Sequence, residues 1–230
     1  MLSLYGSDVN VPWQRRITRL AVGHTDSRIY VSDNLRATMG DPDGQVIPMG
    51  VDLELFRPVS RRAARAALGI DHDAPIVLFG GDPANRVKGY DLFSHALERM
   101  GGGARRLLLP DESRRAVALK YAAADVLLFT SRQGSEGSPG VVKEAVATGL
   151  PVVSVDVGDV RRTLDGVSPS AVVGFGPGLA DRLAEQCTRI LCRGMRSNGP
   201  DGSSRFDWRT TAQHITNVYA QVVNTVSGPA

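Results

Sequence analysis

ADVLLFTSRQGSEGSPGVVKEAVATG, residues 124–149, passes through three chemical textures in one short stretch. Residues 124–131 form a leucine-rich run bounded by Asp125 and Ser131, which reads as a buried strand. RQGSEGS (132–138) is a polar loop. PGVVKEAVATG (139–149) has helical spacing, with Pro139 expected at the first helical position and Ser138 as its N-cap. A buried strand feeding a helix through a polar loop is the repeating unit of a parallel α/β sheet. It puts the helix's unbonded N–H groups at the tip of the sheet, where phosphate or sugar oxygens are readily held.

The alternation continues on both sides. Short apolar runs at 27–32, 74–81, 105–109, 151–156 and 171–175 read as strands, and 88–100, 111–123 and 178–191 have helical spacing. Such a pattern predicts a sheet covered on both faces, with ligands beyond the carboxyl ends of its strands. QVIPMGVDLELFRPVS (45–60), with Pro48, Gly50 and Pro58, reads as a linker. It divides an N-terminal piece, 1–58, from a nucleotide-fold domain, 59–205. FDWRTTAQHITNVYAQVVNTV (206–226) reads as a final amphipathic helix ahead of a short tail to 230, and NGPDGSS (198–204) as a flexible hinge. Residues 1–58 show one convincing strand, too little to bury a core unaided. That piece either packs on the larger domain or lacks sequence upstream of it.

Composition places the chain among ordinary globular proteins: 230 residues, 42% hydrophobic, 22% charged. No apolar run reaches the roughly 18 residues that span a bilayer, and MLSLYGSDVN lacks the basic start and long apolar core of a signal peptide. Cys187 and Cys192 sit five apart, with no zinc or redox spacing. Free thiols imply a reducing, cytoplasmic location, the inner face of the membrane included. The net charge of +3 alone implies no nucleic-acid partner. Of 27 basic residues only Lys88, Lys120 and Lys143 are lysine, a bias typical of a GC-rich genome. Two of those three fall inside the segments that carry chemistry.

Three segments carry it. In EGSPGVVKE, Glu136 precedes the helix and Glu144 lies more than a turn inside it. Carboxylates accept two hydrogen bonds at once, which suits the vicinal hydroxyls of sugars; the plainer reading has Glu136 stabilising the helix start and Glu144 paired with solvent or an arginine. In FGGDPANRVKGYD (79–91), Gly80 and Gly81 let backbone approach an anion, and Arg86 and Lys88 can neutralise a diphosphate. This segment lacks G-x-G-x-x-G and a Walker lysine, against a dinucleotide dehydrogenase or NTPase. LYGSDVN (4–10) is a polar turn with an N-cap. The pairs and runs of arginine at 61–65, 105–106 and 114–115 read as solvated faces, or else as contacts to anionic lipid or a polyanionic acceptor.

Together these segments resemble the retaining glycosyltransferases of family 4, the group 1 transferases of GT-B fold, over residues 3 to about 195. Glu136 and Glu144 match that family's Glu-x7-Glu signature. VIPMGVDLELFRP resembles its linker, KGYDLF its diphosphate-binding segment, AAADVLLFTS its pre-signature strand, GLPVVSVDVGDV its following strand and loop, and YGSDVN its N-domain turn. The resemblance is strongest to bacterial cell-surface polysaccharide and teichuronic-acid-type transferases. It implies an α/β, GT-B type architecture: a Rossmann-like parallel-sheet C-terminal domain with a partial N-terminal domain.

The resemblance also implies roles. A nucleotide-diphosphate sugar is the donor, with no cofactor and no metal. Glu136 and Lys88 are the catalytic pair, Glu136 at the transferred sugar and Lys88, with Arg86, at the leaving diphosphate. Glu144 holds the ribose, while Gly81, Ser138, Pro139, Gly140 and Val141 line the donor. Gly6, Ser7 and Asp8 line the N-domain side of the cleft. The acceptor is a glycan, a lipid-linked molecule or a small molecule, and nucleic acid is not a partner. Peripheral membrane contact and self-association through Trp208, Ile215, Val218 and Tyr219 are further expected contacts. Departures stand beside the match. The family's arginine five or six residues before the lysine falls on Pro83 and Asp82, its turn histidine on Tyr5, and a later glutamate on Arg161. The chain also enters the N-terminal domain near its end, so a truncated, inactive or partner-dependent nucleotide-sugar-binding module stands as the alternative. An epimerase or phosphorylase of the same fold is a weaker third reading.

Overall fold

The computed structural model describes residues 1–70, 73–109 and 113–226. Two parallel sheets organise it. The smaller has the order β1 (Leu2–Leu4), β2 (Arg28–Tyr30), β3 (Gln45–Val46). α1 (Ser7–Asn10) and α2 (Pro12–Val22) connect β1 to β2, and α3 (Asp33–Met39) connects β2 to β3.

The larger sheet has five strands: β4 (Ile76–Phe79), β5 (Arg105–Leu108), β6 (Val126–Phe129), β7 (Val152–Val155) and β8 (Ser170–Val173). Their order is β5-β4-β6-β7-β8, all parallel. β4, β6 and β7 are buried along their whole length, because IVLF, VLLF and VVSV meet covering helices on both faces. The helices are α4 (Arg61–Ala67), α5 (Tyr90–Arg99), α6 (Arg114–Ala123), α7 (Gly140–Ala147), α8 (Val160–Thr163) and α9 (Leu179–Arg193). α9 buries Leu183, Cys187 and Ile190, one face at helical spacing. Both cysteines are free; burial pushes the Cys187 thiol up to about 12. The chain runs from β4 outward to β5, then returns to the other side of β4 as β6. The loops after β4 and β6 therefore diverge at a topological switch point, which opens a crevice between them.

The N-terminal piece differs from its sequence reading. It closes a three-stranded sheet and buries Leu4, Val9, Tyr30, Val31, Leu35 and Met39 in a small core of its own. β1 and β3 are too short to show a pattern, and β3 lies within the expected linker. Asp41 locks this piece: its carboxylate accepts from Arg28 Nε at 2.6 Å, Tyr30 OH at 2.8 Å and Gly44 N at 3.1 Å. The Arg28 hydrogen bond holds the Asp41 carboxyl below its usual range.

Two further expectations are corrected. Residues 198–204 are no flexible hinge: Gly199–Phe206 form a 3₁₀ helix against α7, where a side chain on Gly199 would collide with the Val146 carbonyl. Nor is the arginine-rich 61–65 segment simply solvated. Arg65 is buried and donates to Asp125 Oδ2 at 2.7 Å, and Arg61 also pairs with Asp125. Residues 111 and 112, the start of the helix expected over 111–123, and the tail 227–230 lie outside the described residues.

α10 (Trp208–Val226) crosses back to the smaller sheet. It starts where the linker is pinned, with Val51 N donating to Phe206 O at 2.7 Å and Trp208 N donating to Val51 O at 3.1 Å. Val218 then packs with Ile29 and Ile47, and Ile215 covers them. Of the apolar face expected for self-association, Val218 and Ile215 are thus covered within the chain, and Trp208 and Tyr219 stay exposed.

Asp125 joins three elements, since its Oδ2 also accepts the Ile76 N–H at 2.7 Å. Asp125→Ala is expected to lower stability by about 2–4 kcal/mol in urea titration, because two arginines and a strand N–H lose a shared carboxylate. A loss below about 0.5 kcal/mol would show that α4 is held by its apolar contacts alone.

Candidate active site

The crevice is built from the ends of β4 and β6. After β4, Gly80 and Gly81 turn the chain, and a side chain on Gly81 would press on Lys88 Cγ at 2.8 Å. Glycine thus lets the lysine stem lie flat against the turn. Gly89 follows with φ 67, a left-handed conformation that also brings it against the Thr130 carbonyl at the end of β6. The result is a direct ion pair: Lys88 Nζ lies 2.8 Å from Glu136 Oε1. Ser131 Oγ donates to the same oxygen at 2.7 Å.

Glu144 is buried in α7. Its Oε1 accepts from Arg114 Nη2 at 2.7 Å and its Oε2 from Tyr121 OH at 2.9 Å. Arg114 lies over the Phe56 ring, 4.7 Å from its centroid. Both signature carboxylates therefore already have cationic and hydroxyl partners. Burial, reinforced by the Glu144 charge, pushes the Tyr121 phenol well above its usual range.

The helix start departs from expectation. α7 begins at Gly140 with Pro139 as N-cap, and no side chain caps it. Ser138 is occupied elsewhere: its hydroxyl donates to Asp159 Oδ2 at 2.7 Å and accepts from Lys143 Nζ. The N–H groups of Gly140 and Val141 consequently face the crevice end of the helix without a side-chain cap. The Val141 side chain packs against the turn at Gly80. Arg86 is exposed; its carbonyl accepts from Arg132 Nε at 2.9 Å.

The N-terminal piece closes on the same loop. Asn10 Nδ2 donates to the Glu136 carbonyl at 3.4 Å, and Asn34 Nδ2 to the Gly158 carbonyl at 2.8 Å. Gly137 fits between Tyr5, Leu35 and Val31 with no room for a side chain. Gly6 is buried beside Gly137. Asp8 is committed to its own turn, accepting from Tyr5 N at 2.9 Å and Gly6 N at 2.6 Å, and Ser7 is exposed.

Sequence reading placed Lys143 inside a chemistry-bearing segment but gave it no role; it is 1% exposed. Its ammonium donates to the Met49 carbonyl at 3.1 Å and to Ser138 Oγ, and lies 3.2 Å from Asp159 Oδ2. Burial lowers its pKa and Asp159 opposes that shift. Arg114, Tyr121 and Ser131 were missed. The scarcity of lysine was the one available signal for Lys143; Arg114 was hidden in a pair read as solvated. A cavity of about 620 Å³ around Arg61, Asp125 and Arg196 lies at the other end of the sheet.

Lys143→Met is expected to reduce stability by about 3 kcal/mol in urea titration, because it leaves Asp159 with a buried charge and loses the link to Met49. An unchanged transition midpoint would show the knot to be dispensable. A pH effect follows from Tyr121. Its folded-state pKa is raised, so its contribution is complete below the unfolded value of about 10 and is lost above it. Wild-type stability should therefore fall above about pH 10, and Tyr121→Phe should flatten that slope in thermal melts across pH 8–11. Parallel slopes would exclude Tyr121 as a source.

Comparison with known proteins converges on one family. Residues 71–193 match the model of the glycosyl transferases group 1. A D-inositol 3-phosphate glycosyltransferase of Xylanimonas cellulosilytica is 34% identical over 218 residues, 76% of this chain and 51% of that protein. The chain thus spans about half the length of that curated relative. Among solved structures, sucrose-phosphate synthase from Thermosynechococcus elongatus superimposes with a TM-score of 0.78 at 25% identity, over 93% of this chain and 62% of that one. Anabaena Alr3699/HepE in complex with UDP-glucose does so at 0.76 and 19% identity, over 96% of this chain and 72% of that one. Its fold is that of GT-B glycosyltransferases, and the chain belongs to the glycosyl transferases group 1 family.

Proposed function

We propose that the chain carries the donor side of a retaining, metal-independent glycosyltransferase that moves a sugar from a nucleotide diphosphate to an acceptor in bacterial surface glycan or glycoside synthesis. The observation that carries this reading is the Lys88–Glu136 ion pair at the switch point, beside the uncapped start of α7. Fixed N–H dipoles and an ammonium group can stabilise the departing diphosphate, as a divalent ion does elsewhere. Glu136, held by Lys88 and Ser131, orients the transferred sugar, and the acceptor attacks on the face the diphosphate leaves. Glu144 takes the ribose hydroxyls. The ribose displaces Arg114, which is the exposed partner, whereas the Tyr121 bond is buried. The bound UDP-glucose of the Anabaena neighbour supports a nucleotide-sugar donor.

A second reading is a nucleotide-sugar-binding module that acts with a partner, because the groups gathered at the crevice, Lys88, Glu136 and the uncapped start of α7, suit donor binding with or without transfer.

Calorimetry with a panel of nucleoside diphosphates tests the donor site. Glu144→Ala should weaken the preferred one by about 10- to 100-fold, the worth of charged hydrogen bonds. Glu136→Ala should leave that affinity nearly intact and lower sugar transfer by about a hundredfold or more. Turnover should survive EDTA. Binding without transfer selects the module; no nucleotide binding by the wild type removes both readings.

A further inference from the structure

The cavity of about 620 Å³ lies at the end of the large sheet away from the crevice. α4 lines it with Arg61, Arg62 and Arg65. The end of α9 and the turn after it add Leu191, Met195 and Arg196. Pro75 and Asp125, just ahead of β4 and β6, join them. Both Asp125 oxygens are taken: Oδ1 pairs with Arg61, and Oδ2 accepts from Arg65 and from Ile76 N, each at 2.7 Å. Asp73, the other acid of the lining, is exposed.

Among the described residues, two guanidiniums here have no carboxylate partner. Arg62 is exposed and makes no ion pair. Arg196 is partly buried, and burial pushes it down to about 10. A guanidinium has five N–H groups. Three of those on Arg196 donate, to the carbonyls of Ala124 at 2.8 Å, Tyr121 at 3.3 Å and Thr148 at 3.0 Å, so two remain. Neutral carbonyls solvate a cation without cancelling its charge. A desolvated guanidinium in this setting gains from a bound anion.

We propose that this cavity binds a small soluble phosphate monoester with an apolar or aromatic body. Its volume is that of a small-molecule pocket. The three free oxygens of a phosphate monoester can meet guanidiniums from two walls at once, and arginine is the side chain suited to such bidentate contacts. A carboxylate has two oxygens, and Asp125 shows them consumed by neighbouring groups. Pro75, Leu191 and Met195 offer apolar surface to the body of the ligand, and Met195 is 64% exposed without one. The cavity shares none of these residues with the crevice, so its ligand is independent of the donor.

Calorimetry on the full chain with phenyl phosphate tests the site. Phenyl phosphate should bind about tenfold more tightly than inorganic phosphate, from partial burial of its ring. It should also exceed benzoate by about tenfold, since benzoate has fewer oxygens and less charge. Arg62→Glu should weaken phenyl phosphate binding by about tenfold or more without lowering the melting temperature, because an acid in the first turn of α4 suits the helix. Met195→Asp should weaken it by a similar factor, and Lys88→Met, in the crevice, should leave it unchanged. The absence of phenyl phosphate binding at millimolar concentration overturns the proposal. So does equal affinity for benzoate or inorganic phosphate, binding indifferent to the Arg62 and Met195 changes, or binding lost in Lys88→Met, which would put the ligand in the crevice.

Discussion

A buried ammonium group governs the geometry of the crevice. Lysine is rarely fully buried, since desolvating its charge costs several kcal/mol unless oxygens replace the water. Lys143 meets that condition with oxygens from three separate segments: the Met49 carbonyl in the linker, Ser138 in the signature loop and Asp159 after β7. Each segment is irregular and would be mobile alone. Asp159 N also donates to the Gly137 carbonyl at 3.0 Å, which closes the loop on itself. One cation therefore fixes where Ser138, Pro139 and the start of α7 lie.

Around this joint the two glutamates are held by different means. Glu136 sits on a loop, so its position depends on Lys88 and Ser131. Glu144 is on a helix, positioned by backbone, and its partners Arg114 and Tyr121 compensate its burial. The first arrangement can exchange partners as charge moves, since Lys88 is still partly exposed. The second is half buried hydroxyl and half exposed guanidinium, so a ligand can displace one side while the other persists. A donor would thus meet carboxylates already oriented, with little ordering cost at binding.

What the sequence disclosed follows from the physics of burial. Strands covered on both faces must be continuous apolar runs, so β4, β6 and β7 were legible in IVLF, VLLF and VVSV. β1 and β3 were not, because two or three residues carry no period. Glu136, Glu144 and Lys88 stood out only through the resemblance's signature and its diphosphate-binding segment, and the sequence did not disclose that Lys88 and Glu136 meet as an ion pair. Lys143, Tyr121 and Arg114 were not legible, because their roles depend on contacts between elements far apart in sequence. The composition of 198–204 suggested mobility, but Gly199 is there because α7 passes too close for a side chain. Ser138 looked like a cap by type, yet the stronger attraction of Asp159 and Lys143 took its hydroxyl.

The two sheets are unequal partners. The five-stranded sheet carries a large continuous core, whereas the smaller one has a six-residue cluster of its own and leans on others. α10 covers one side of it with Val218 and Ile215, and loop 136–137 is seated against Tyr5, Val31 and Leu35. The loop that bears Glu136 is thus also a structural support for the N-terminal piece. Any displacement of β1 or α3 must move Gly137, which has no slack, and Gly137 is bonded to Asp159 and so to Lys143. The smaller sheet, the Glu136 loop and the Lys143 joint are thus packed in one chain of contacts in which Gly137 leaves no room for a side chain.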